Sequence, residues 1–302
     1  ASEAPPLARD YAFVAQNAFG RAGASVAVMV YTLDFWTAVV ANFVIVDSLY
    51  RNWLPELSSI GRCLPLLGHV VATCILLYVP SWIFGKTQLL AALSSLVLVI
   101  AAAFAAVPRL VAGDVDMRDL LIPSMSMEGI ILEVTSCVFA YSNTSILPTI
   151  ASSWQSRLRE REGLLRASFT SSAGVYAAYG TLGFLALGRC GPDAVFAMQG
   201  PLGLVSQLFF LVRVQLCLPL LCSPCIHVMQ EALGVARKRG QRVALSLAVV
   251  FGSAAVAIAA GGQMDAVMSL IGACVTTSMV VVFPPLMELN LCGGDLPKQA
   301  HG

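Results

Sequence analysis

Apolar runs long enough to cross a bilayer follow one another along almost the whole chain, parted only by short polar turns. A hydrocarbon core of ~30 Å needs about 20 apolar residues per helix. On that measure the pattern predicts eight segments, at roughly 24–49, 63–84, 88–108, 120–154, 164–188, 201–228, 242–261 and 265–291. No soluble domain separates them, so residues 1–302 are expected to form a single transmembrane domain. The expected fold class is all-α, a polytopic membrane helix bundle.

Composition agrees with the pattern. The chain is 58% hydrophobic and only 12% charged, against roughly 25% charge in ordinary soluble domains. Its net charge of +1 gives no basic surface for nucleic acid. The first residues, ASEAPPLARDYAFVAQNAFGRAG, are polar and lack the apolar core of a signal peptide. Basic residues suggest the sides. SRLREREGLLR and ARKRGQR are separated by two predicted spans and therefore face the same compartment. By the positive-inside rule that compartment is the cytosol, and alternation places the N-terminus there too.

The segment 120–154 does not fit a simple span. As one helix it would be ~52 Å long. Its centre carries Tyr141, Ser142, Asn143, Thr144 and Ser145, and Pro148 follows. Asn tolerates left-handed angles, Ser and Thr offer competing side-chain bonds, and Pro148 removes the amide that would reach back to Thr144. A break is expected near 139–147. Freed backbone groups cannot face lipid, so they must line a wet or protein-walled cavity. Broken helices at this depth hold substrate in many secondary transporters. A proline-kinked helix packed through its hydroxyls is the alternative.

Four other features concern chemistry. Asp34 lies in the middle of the first segment, where a carboxylate costs at least ~2.5 kcal/mol on insertion scales and needs a cavity or a partner such as Tyr31. Glu133 precedes the break by about two turns, and Arg213 sits deep within LFFLVRVQLCLPLL, with Gln215 as a further polar contact. These three are the candidates for ion or proton coupling, and Asp34 and Glu133 are possible partners for Arg213. Asp47 and Arg51 have the spacing of a surface ion pair. Ser168, Ser171, Ser172, Gly174, Gly180 and Gly183 read as a close-packing face.

Metal and cofactor chemistry is not expected. The nine cysteines lie mostly in apolar runs and read as small hydrophobes. Cys222-Ser-Pro-Cys225 lacks a second pair, and His69, His227 and His301 are scattered. No aspartate-pair, zinc-protease or serine–histidine motif is present, so an enzyme is not expected.

Several stretches resemble the amino acid/auxin permease family, in particular its vacuolar and vesicular inhibitory amino-acid transporter branch. QNAFGRAGASVAVMVYTLDFWTAVVANFVIVDSLYRNWLP is similar to that family's third span, with an alanine–phenylalanine–glycine turn entering the helix. VFAYSNTSILP resembles the sixth, SFTSSAGVYAAYGTLGFLALG the seventh, LLCSPCIHVMQEAL the end of the eighth, and MDAVMSLIGACVTTSMVVVFPPLMEL the tenth. The resemblance implies a partial five-plus-five inverted-repeat transporter fold, beginning before the third span, ending after the tenth, and without the first, second and last.

It further implies a secondary active transporter, symporter or antiporter, of neutral amino acids in a vacuolar or other endomembrane. A proton or sodium ion would be the coupling partner. Phe139, Tyr141, Ser142, Asn143, Thr144 and Ser145 would then form the substrate pocket. The branch has Tyr-Ser-Gly-His where this chain has Tyr141-Ser142-Asn143-Thr144, so no proton role carries over to Thr144. The missing first span also leaves open a non-transporting amino-acid sensor or membrane subunit that keeps the fold.

Overall fold

The structure, a computed structural model, describes residues 11–56, 59–113, 134, 158–188, 194–198, 200–233, 239–260 and 270–292. Among them the regular elements are all helical. They are α1 (Tyr11–Trp53), α2 (Ser59–Leu76), α3 (Ser81–Ala112), α4 (Leu158–Leu187), the short α5 (Ala194–Ala197), α6 (Gly200–Ala232), α7 (Arg239–Ala260) and α8 (Phe283–Cys292). Two π-helical turns, Gly272–Thr276 and Ser278–Val282, lead into α8. Among the described residues five helical stretches are long and apolar enough to cross a membrane: Val14–Trp53, Trp82–Ala112, Gly200–Gln230, Gly240–Ala260 and Ala273–Leu291.

α1 is the axis of the described bundle. It has 43 residues, about 64 Å at 1.5 Å per residue, twice what a bilayer core requires. It is bent at Gly20, whose φ of 69° and ψ of −170° lie where only glycine is comfortable. The polar N-terminal stretch is therefore helical from Tyr11 onward, not an unstructured lead-in to the first span. Beyond the bend α1 is apolar on every side, as a helix surrounded by others must be. Phe35, Val39, Phe43, Val44, Val46 and Leu49 are all buried. α6 and α7 cover most of α1, and α8 covers part of the remainder.

α2 stops at Leu76, and the chain turns through Leu77–Pro80 before α3 starts at Ser81. Pro80 cannot donate to a preceding turn, which makes it a natural helix boundary. α3 ends at Gly113, with φ 72° and an amide bonded back to the carbonyls of Arg109 and Leu110. A left-handed glycine supplies such helix ends without a side-chain clash.

α3 is packed inside out relative to a soluble helix. Its buried positions are small: Ala91, Ser94, Ala101, Ala102 and Ala106, with Leu98. They let α6 and α4 approach closely. Its large side chains point outward, with Phe104 65% and Val111 82% exposed. Lipid is as apolar as leucine, so this arrangement costs nothing in a bilayer and would cost heavily in water.

α4 departs from expectation. Ser168, Ser171, Ser172, Gly174 and Gly180 are exposed, and only Gly183 of that group is buried. They do not form a close-packing face, because α4 meets the described bundle mainly through α3 and α5. Ser171 satisfies its hydroxyl locally, donating to the carbonyl of Ser168 at 2.9 Å. At the far end of α4, Gly188 has φ 75° and donates its amide to the Phe184 carbonyl at 2.7 Å. The Arg109 guanidinium of α3 lies 3.0 Å from where a Cβ on Gly188 would stand.

Candidate coupling site

The two described residues among the expected coupling groups, Asp34 and Arg213, lie on the two central helices. Asp34 stands roughly 21 Å along α1 from the Gly20 bend, at 1.5 Å per residue. It is 2% exposed. The Tyr31 and Phe35 rings flank it along the helix and meet each other at 4.8 Å between centroids. Thr37 returns its hydroxyl to the carbonyls of Leu33 and Asp34, at 2.7 and 3.0 Å. Such back-bonding keeps the hydroxyl from adding an unpaired group to the buried turn.

A partner for the carboxylate comes from the opposite end of the chain. Thr276 donates its hydroxyl to Asp34 Oδ1 at 2.8 Å, and the Thr276 side chain is fully buried. Thr276 closes the first π-helical turn. A π-helical turn spaces its hydrogen bonds i to i+5, so it holds one residue more than an α-turn and rotates the helix downstream of it. Single π turns inside helices recur at functional sites. Here two come in succession, separated by Thr277. Ser278 bonds the Cys274 carbonyl at 2.7 Å, which places a side-chain hydroxyl on the backbone where the α-helical ladder is interrupted. The widened segment also leans on α1 further down, where Phe19 and Phe283 approach with centroids 6.3 Å apart.

Arg213 is half-buried, roughly 20 Å into α6. Among the described residues no ion pair joins it to Asp34. Glu133 and the expected pocket residues Phe139, Tyr141, Ser142, Asn143, Thr144 and Ser145 lie outside the described residues, as does the whole expected break at 139–147. Asp47 and Arg51 do pair, at 2.7 Å, but the Asp47 side chain is 5% exposed, so this is a partly buried pair and not a surface one. Cys222 and Cys225 are buried free thiols.

A polar network that the sequence pattern does not announce joins α1, α2 and α6. The Tyr50 hydroxyl lies 2.9 Å from His69 Nε2. His69 Nδ1 lies 2.6 Å from Gln215 Oε1. Gln215 Nε2 donates to Thr73 Oγ1 at 3.0 Å, and Thr73 donates to the His69 carbonyl at 2.8 Å. Gln215 thus spends its side chain on His69 and Thr73. Pro219 has no N–H to offer the Gln215 carbonyl one turn earlier. Beside that gap, Gln88 of α3 donates to the Leu216 carbonyl at 2.8 Å. Above the network, Trp53 stands edge-on to Tyr50 and donates its indole N–H to Gln207.

Compared with known proteins, residues 4–301 match the family model described as transmembrane amino acid transporter protein. No curated protein and no solved structure gives a significant match.

Proposed function

From the premise that the chain belongs to the transmembrane amino acid transporter family, we propose that it carries neutral amino acids across a vacuolar or other endomembrane, coupled to protons, with its N-terminus in the cytosol. Asp34 is the coupling group in this reading. The observation that carries it is a buried carboxylate in the middle of the central helix, fixed by Thr276 of a π-helical turn. A carboxylate at such depth is costly, by ~2.5 kcal/mol or more on insertion scales. A bound proton or a substrate ammonium removes that cost, so occupancy by either one changes the stability of the α1–π contact. That differential stability is what a coupled carrier requires.

The substrate carboxylate is assigned to the amides at the start of the second half of the broken helix, near Ser145. Phe139, Tyr141, Ser142, Asn143 and Thr144 shape the pocket around it. A helix N-terminus favours an anion through its unpaired N–H groups and its dipole. Arg213 and Glu133 are further coupling candidates. Their charges must face a cavity or each other.

The test is uptake of radiolabelled neutral amino acids into proteoliposomes carrying the full-length protein, with and without an imposed pH gradient. Gradient-driven accumulation that is lost in Asp34→Asn, while exchange at equal pH survives, supports the reading. Accumulation by Asp34→Asn equal to wild type removes Asp34 from the coupling step. Amino-acid binding without any uptake would instead fit a sensor that keeps the transporter fold.

A further inference from the structure

The Tyr50–His69–Gln215–Thr73 network has a fixed direction. Gln215 Nε2 is committed to Thr73 Oγ1, so Gln215 presents its oxygen to His69. An amide oxygen only accepts, so His69 Nδ1 carries a hydrogen. With the ring neutral, Nε2 offers its lone pair and the Tyr50 hydroxyl, 2.9 Å away, is its donor. Thr73 spends its own hydrogen on the His69 carbonyl. Each of these four contacts then has one donor and one acceptor.

The network is also the polar seam by which α2 is held. α2 is a short helix of 18 residues, and it touches α1, α6 and α7. Its outward residues Leu64, Leu67, Val71 and Ile75 are exposed. On the α1–α6 side, Leu66, Val70 and Thr73 are buried beside His69. The Tyr50 and His69 rings are in contact, 5.7 Å between centroids.

We propose that His69 is a proton-binding site distinct from Asp34, and that its occupancy sets how firmly α2 is held between α1 and α6. A proton from water adds to Nε2. The Tyr50 hydroxyl then turns its oxygen toward the ring and accepts from Nε2, so that bond is kept with its direction reversed, but a charged ring now stands half-buried among neutral groups, and that cost loosens the seam. The bond from Nδ1 to Gln215 is kept. The site lies about 24 Å along α1 from Asp34 at 1.5 Å per residue, so the two are not one pocket.

Among the described residues, the charged and titratable groups on the neighbouring helices are few. α1 brings Tyr50 itself and the Asp47–Arg51 pair, which is internally neutral. α6 brings Arg213 and Cys217 on either side of Gln215, and α7 brings Arg242, which is exposed at its start. Tyr78, in the turn after α2, spends its hydroxyl on Ser246 of α7. The one carboxylate among these, Asp47, is held by Arg51, and Nε2 faces the Tyr50 hydroxyl, so the added hydrogen is met by the Tyr50 oxygen.

Proton binding at His69 is independent of transport, and it is tested without it. Full-length protein in nanodiscs is compared at about pH 4.5 and about pH 7.5, a window that reaches well below ordinary imidazole titration near ~6.5. The readout is hydrogen exchange of the peptide containing residues 66–73, corrected for intrinsic rates. The expected result is exchange at least about threefold faster at the acidic pH in wild type, with no difference in His69→Gln. Tyr50→Phe keeps the Gln215 bond but offers Nε2 neither donor nor acceptor, so its pH dependence shrinks while its exchange is raised at both values. In parallel, histidine ¹⁵N spectra identify the His69 ring by its loss in the Gln variant. A neutral Nδ1–H ring that charges as pH falls is expected. A neutral Nε2–H ring, a ring that stays neutral throughout, or equal acid dependence in wild type and His69→Gln overturns the proposal.

Discussion

Replacing Thr276 by Val is the sharpest perturbation of the Asp34 contact. The two side chains have nearly the same shape, so little cavity opens, but the hydroxyl that donates to Asp34 Oδ1 at 2.8 Å is gone. Hydrogen bonds to charged groups contribute roughly 1.5–3 kcal/mol. Both residues are essentially inaccessible to water, Thr276 at 0% and Asp34 at 2% exposure, so solvent cannot replace the hydroxyl. The expected loss is therefore about 1.5–3 kcal/mol, visible as a lower unfolding midpoint of the purified protein. Thr276→Ser keeps the donor and should recover most of it. A double-mutant cycle with Asp34→Asn isolates the pair, and contacting residues give coupling energies of ~0.5–3 kcal/mol. Thr276→Val within ~0.5 kcal/mol of wild type, or strict additivity with Asp34→Asn, would refute the argument that the π-helical turn restrains this carboxylate.

Gly188→Ala should lower stability by about 1–2 kcal/mol, because a left-handed position penalises Cβ and the Arg109 guanidinium, 3.0 Å from where the methyl would stand, would have to shift slightly; thermal unfolding reads it. Gln88→Leu should lower stability by ~1 kcal/mol by stripping the Leu216 carbonyl of its side-chain donor beside Pro219, and a volume-matched change at exposed Leu89 should leave the midpoint unmoved. Asn143→Leu, if the break holds substrate, should weaken amino-acid affinity about five- to a hundredfold, measured as half-saturation of uptake. Unchanged half-saturation in a well-folded Asn143→Leu protein would favour a packed kink over a binding site.

The helical membrane character was readable in the apolar runs because bilayer thickness acts on every span alike. Asp34 was conspicuous for the same reason, being a charge in the middle of such a run. The bend at Gly20 was half legible, since Ala18-Phe19-Gly20 reads as a turn, but helix on both sides of it was hidden by the polar residues before it. Thr276 could not be found, because its partner is 242 positions away in sequence and a hydroxyl in an apolar helix is unremarkable. Nothing in GACVTTSMVVV announces π turns, which arise from how the segment must meet α1 and not from local propensity. His69 was set aside as a scattered histidine because Tyr50, Thr73 and Gln215 become its neighbours only when three helices pack. The small residues of α4 misled for the opposite reason. Their composition suits close packing, but packing needs a partner at that position.

The inside-out character of α3 changes what mutagenesis can see. Alanine scanning works by cutting side chains back, and it reports on contacts that side chains make. On α3 the contacting positions are already Ala91, Ala101, Ala102 and Ala106, so a scan would pass over its tightest interface and score only the outward Leu, Ile, Phe and Val that touch solvent lipid. The informative experiment there is growth, not truncation. Adding one or two methyl groups at Ala102 or Ala106 should register where deleting Phe104 or Val111 does not, and a sensitivity map of this protein would look like the photographic negative of one from a water-soluble bundle.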